Sequence, residues 1–197
     1  MTEGRGSIEL GSERVEAFSD AVFAVIITIM ALELEAPQGH TLADVRDDLL
    51  PGLIVYALSF TMIGIYWNNH HHLLRAAERI NGAVMWTNLF LLFWLSLIPV
   101  LTVWLREEYQ HALPAAAFGV VALAAGLAYR LLVGALIRAN GRDSSVARAI
   151  GSDVKGYASL AMYAAGVMLA FVSPWISYAL YVAVALMWFV PDRRFAR

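Results

Sequence analysis

No cysteine occurs among the 197 residues. Disulfides, thiolate metal sites and cysteine nucleophiles are therefore excluded, while the redox compartment stays open. Charge is also scarce. Asp, Glu, Lys and Arg make up 15% of the chain, against about 25% in an ordinary soluble domain. The formal net charge of -2 leaves no basic excess to attract nucleic acid. The first twelve residues, MTEGRGSIELGS, contain no apolar run, so they read as a short cytoplasmic tail without a cleavable leader. What the chain has in quantity is apolar side chains, 60% of all residues, the composition of a membrane protein.

Crossing a hydrocarbon core of roughly 30 Å takes about 20 apolar residues in a helix. Residues 49–74, 80–105 and 111–129 are each free of Asp, Glu, Lys and Arg, and the opening stretch 14–34 is apolar at its centre. Residues 157–190 are uncharged for too long to make one crossing. Ser173-Pro174, a cap followed by a first-turn proline, divides them into two short helices. The expectation is an all-α, multi-pass protein with six transmembrane helices, since lipid cannot satisfy an open backbone. Residues 13–191 form the membrane domain and 192–197 a basic cytoplasmic end. Pro99 should kink the third span, Gly119, Gly126 and Gly134 offer a packing seam, and Arg130 snorkels from the fourth span. Six spans place twelve of the fourteen Lys and Arg residues on one side, against Arg46 and Arg106 on the other. Both termini are then cytoplasmic. The far side collects Glu33, Glu35, Asp44, Asp47, Asp48, Glu107 and Glu108, an acidic vestibule that would concentrate cations.

The first span, RVEAFSDAVFAVIITIMALEL, poses a problem. Only residues 21–32 lie between Asp20 and Glu33, about 18 Å of helix. The crossing must therefore include an acid, and an acid near hydrocarbon costs about 2.5–3.5 kcal/mol even on the lenient insertion scale. Such groups turn toward protein or water. Arg14 is six residues from Asp20 and off its face. Donors are available instead at the end of the second span, in Tyr66-Trp67-Asn68-Asn69-His70-His71-His72. Trp67 and His71 share one helix face, and an indole N–H, an imidazole N–H and Asn amides there can reach Ser19 and Asp20. Asn88 in the third span is a further buried polar group that needs a partner. Neighbouring histidines fan out by about 100° on a helix, so His70, His71 and His72 cannot share one ion, and no metal site is expected. A nucleophile, base and orienting group do not stand together anywhere, so no catalytic residues are assigned.

Arg14-x-x-x-Phe18-Ser19-Asp20 opening the first helix, with Trp67-x-x-His70-His71 closing the second and Asn88 in the third, resembles the transmembrane protein 175 family of potassium channels, in its short bacterial six-helix form. The resemblance implies a homotetramer in the cell membrane, in contact with lipid, with the first helix of each subunit lining a central pore. It implies that Val25, Ile29 and Leu32 form the aliphatic constriction and that Thr28 contributes to selectivity. Potassium is the permeant ion, and no cofactor is implied. Arg14, Phe18, Ser19, Asp20, Trp67, His70, His71 and Asn88 become its structural polar network. Val25 is smaller than the isoleucine or leucine usual at that layer. Val22, Val25, Ile29 and Leu32 fall on one helical stripe, which permits the pore reading without selecting it. Three rivals stand beside the channel. A secondary transporter would favour a three-plus-three repeat and helices broken at midspan, and neither is visible. An intramembrane enzyme would have to be built on Asp20 and the histidines. A purely structural membrane protein would use the same polar groups for packing alone.

Overall fold

The computed structural model describes residues 3–150 and 153–189, and every regular element among them is helical. The helices are α1 (Glu3–Leu32), a single turn α2 (Leu42–Asp44), α3 (Leu50–Arg75), α4 (Gly82–Ser96), α5 (Ile98–Glu107), α6 (Ala112–Asn140), a short α7 (Ser145–Ile150), α8 (Val154–Leu169) and α9 (Pro174–Phe189). Four helical segments are long and apolar enough to cross a membrane: Glu13–Leu32, Leu42–Arg75, Gly82–Glu107 and Ala112–Asn140. α9 is a shorter apolar helix of sixteen residues, and α8, of the same length, carries Lys155 in its first turn.

Prolines and caps set the boundaries. Pro51 has no N–H to give the preceding turn, and the turn Val45–Leu49 widens into a π-helix just before it. Pro99 interrupts the hydrogen-bonding pattern of the third span at Leu97, between α4 and α5, while the backbone there stays in the helical region. The long apolar stretch is divided at Ser173-Pro174, with α9 starting on the proline. One expectation is corrected. The fourth span runs past its uncharged part to Asn140, and Arg130, inside it as expected, does not snorkel alone: it pairs with Asp153 at the start of α8 and lies 3.8 Å from the centre of the Tyr157 ring. From Glu3 onward the N-terminal segment belongs to α1. The basic segment 192–197 lies outside the described residues.

α6 is the central post. It packs on α4, α5, α7, α8 and α9, and its buried face is largely alanine and glycine. Small residues let neighbouring backbones approach closely. A Cβ on Gly119 would stand 2.1 Å from the Tyr181 hydroxyl, and one on Gly126 would stand 2.7 Å from Leu160, so α8 and α9 seat in these notches. Gly134 is not part of that seam, since a Cβ there would approach only Arg138 of the same helix. α1 is placed differently. It leans on α3, α4 and α5 at the side of the bundle.

Candidate functional site

α1 has two unlike faces. Ser19, Phe23, Ile26 and Met30, spaced four, three and four, are buried against the rest of the chain. The opposite face carries Phe18, Val25, Thr28, Ile29 and Leu32. Val25 is 55% exposed, Ile29 42% and Leu32 83% in the single chain. The Thr28 hydroxyl donates to Val25 O at 3.0 Å, which uses its proton and leaves its oxygen lone pairs on the open face.

The buried face is fixed by a polar chain in the N-terminal part of the span Glu13–Leu32. His70 Nε2 lies 2.7 Å from Asn88 Oδ1, Asn88 Nδ2 donates to Ser19 Oγ at 2.9 Å, and Ser19 donates to Val15 O at 2.8 Å. The Asn88 orientation makes Oδ1 the acceptor, so His70 carries its proton on Nε2. Its Nδ1 meets no hydrogen-bond partner among the described residues, and the Phe23 ring stands edge-on to the imidazole, 5.5 Å between centroids. Ser19, His70 and Asn88 are all buried, so each bond replaces water that the site excludes.

Beside this chain α1 and α3 run antiparallel and form two polar rungs. Trp67 Nε1 donates to Asp20 Oδ1 at 2.9 Å. One turn away, His71 Nδ1 lies 2.9 Å from Glu16 Oε1, close in distance but off the line of N–H donation. Trp67 and His71 stack, with centroids 5.8 Å apart. The structure therefore joins Ser19 with Asn88 and His70, and Asp20 with Trp67. His71 goes to Glu16, not to Asp20. Asn68 is exposed and Asn69 donates to Ile65 O, so neither amide serves α1. Arg14 and Phe18 are exposed, and no hydrogen bond or ion pair reaches Arg14 among the described residues.

The other end of α1 is held by Arg106, which in the sequence stands only as one of the loop charges. From α5 it donates to Glu33 O at 2.5 Å, capping the helix just past Leu32, and pairs with Glu35 at 3.2 Å and Glu107 at 3.4 Å. Below it, Thr102 Oγ1 lies 2.8 Å from Ser59 Oγ and 3.7 Å from Met30 Sδ. Glu16 had a readable signal, since it precedes Asp20 by one turn as His71 follows Trp67. Arg106 had one as well, as one of two cations, with Arg46, among seven acids.

A family model described as the endosomal/lysosomal potassium channel TMEM175 matches residues 14–99, the part that holds α1 from Arg14 onward, both rungs and Asn88. A potassium channel of Chryseobacterium sp. (strain P1-3) is 43% identical over 92% of this chain and 94% of its own length. A potassium channel of Streptomyces collinus is 35% identical over 61% of this chain and 62% of its own length. The crystal structure of a lysosomal potassium-selective channel TMEM175 homolog from Chamaesiphon minutus superposes with a TM-score of 0.77 at 27% identity. The match covers 94% of this chain and 98% of that one.

Proposed function

Because the chain belongs to the TMEM175 family, we propose that it is a potassium-conducting, modestly selective channel of the cell membrane, assembled as a homotetramer around the open face of α1. The subunit crosses the bilayer six times with both termini cytoplasmic, and its acidic end, around Glu33, Glu35, Asp47, Asp48 and Glu107, forms the outer mouth. Val25, Ile29 and Leu32 form three aliphatic layers, four copies in each. A collar of this kind closes by dewetting, because water leaves a sufficiently narrow apolar neck and an ion cannot follow. Arg14, Phe18, Ser19, Asp20, Trp67, His70, His71 and Asn88 hold the inner end of the helix so that its aliphatic face stays turned to the axis. Thr28 places a hydroxyl oxygen between layers, where a partly dehydrated cation can use it. Potassium loses water more easily than sodium, and the absence of a ring of backbone carbonyls keeps the preference modest.

One observation supports this reading above the others: α1 buries a Ser-Phe-Ile-Met face and leaves a Val-Thr-Ile-Leu face exposed among the described residues. The natural lack of cysteine makes the test direct. Ile29→Cys, recorded in a planar bilayer, should lose most of its potassium current on exposure to a charged methanethiosulfonate reagent, while the parent protein is unaffected. Current steps that persist unchanged after stoichiometric labelling would remove Ile29 from the pathway. Flux that saturates without unitary steps would replace the channel by a transporter.

A further inference from the structure

The histidine triplet fans too widely to hold an ion by itself, yet one member of it meets two carboxylates from another helix. Glu16, Asp20 and His71 place one ligand atom each within 4.8 Å of one another. All three side chains are half-buried. We propose that these residues form a binding site for a transition-metal dication of the zinc type, bridging α1 to α3 at the inner end of α1.

The donor set fits that chemistry. Two carboxylates and an imidazole suit Zn2+ and its neighbours in the first transition row, which accept mixed nitrogen and oxygen ligands, and a small hard ion such as Mg2+ has less use for the imidazole. Tetrahedral bonds of about 2.0–2.2 Å set ligand atoms about 3.3–3.6 Å apart, so the Glu16–His71 pair, at 2.9 Å, opens slightly and any wider pair closes. Two ligands already have supporting contacts. The Trp67 N–H on Asp20 Oδ1 orients that carboxylate and leaves its second oxygen free for the ion, and the Trp67 ring stacks on His71 to fix the imidazole plane. Glu16 Oε1 and His71 Nδ1 are already 2.9 Å apart. One neighbour opposes binding. Arg75 Nη1 lies 3.5 Å from His71 Nε2, so an ion on Nδ1 requires the ring proton on Nε2 and a withdrawn guanidinium.

The site has a stated consequence only under the channel reading. An ion across the two rungs would tie α1 to α3 and oppose any rotation that widens the path. Binding itself does not depend on conduction, so it is tested on the purified full chain in detergent with zinc chloride alone. Calorimetry should show one ion per chain, accompanied by a rise in melting temperature. Glu16→Gln and His71→Asn should each weaken binding by at least about tenfold, the least that loss of a ligand would cost when supporting residues already cost 10–100-fold. The control is His111→Asn, which removes an exposed His–Glu pair with Glu108 at the opposite end, and it should bind as the parent does. Where His71→Asn melts low without zinc, Glu16→Gln decides. Parent-like affinity in Glu16→Gln, or loss of the heat in His111→Asn, overturns the site.

Discussion

The span Glu13–Leu32 of α1 and the whole of α6 are nearly equal in mean hydropathy, and each is long enough to cross a bilayer, yet the fold uses them in opposite ways. α6 is wrapped by five other helices, and alanine is the commonest residue on its buried face. α1 is held along one side only, and Val25, Ile29 and Leu32 stay exposed in the single chain. Hydropathy therefore reports that a segment prefers the bilayer, not what it will face there. Residue size and the position of polar anchors carry that second piece of information. A central post needs small residues so that backbones can approach. In the proposed channel, α1 as a conduit wall would need large residues on its free side and hydrogen bonds on its held side.

The strongest way to break this contrast is at the anchor. Asn88→Ala removes the acceptor for His70 and the donor for Ser19 in a buried place, and unsatisfied groups of that kind cost about 1–3 kcal/mol each. The melting temperature in detergent should fall sharply, and α1 should become the first segment to exchange its amide protons. An unchanged melt would mean that packing alone holds α1. Next is the post. Gly119→Ala puts a methyl group 2.1 Å from the Tyr181 hydroxyl, an overpacking that costs about 1–3 kcal/mol. Adding Tyr181→Phe should recover part of the loss, and a calorimetric melt of single and double variants reads the coupling. The smallest effect on stability belongs to the free face. Thr28→Val should leave the melt within about 0.5 kcal/mol, as substitutions away from packed contacts do, while the potassium-to-sodium permeability ratio from reversal potentials drops severalfold. An unchanged ratio would reject the hydroxyl as a selectivity element.

Much of this was legible in the chain, for reasons that differ by residue. Uncharged runs mark the membrane segments because charge in hydrocarbon is expensive, and Pro99 and Ser173-Pro174 mark breaks because a proline nitrogen has no proton to share. Ser19 and Asn88 announced themselves as polar groups in apolar surroundings that had to find partners. That they found each other across 69 positions depends on how α1 crosses α4, which no local pattern encodes. The same holds for Arg130. Its carboxylate is 23 residues away, so the side chain looked like a snorkelling end where it is in fact half of a pair that docks α8. Glu16 escaped notice because it lies before the apolar run, among charges that look solvated.

The interruption at Leu97 has one last consequence. The N-terminal part of the α1 span is bonded to α4 through Asn88, and its C-terminal end to α5 through Arg106 and the Thr102–Met30 contact. Both supports belong to one helical segment, Gly82–Glu107, one on each side of Leu97, so the two ends of α1 are fastened to different turns of the same neighbour.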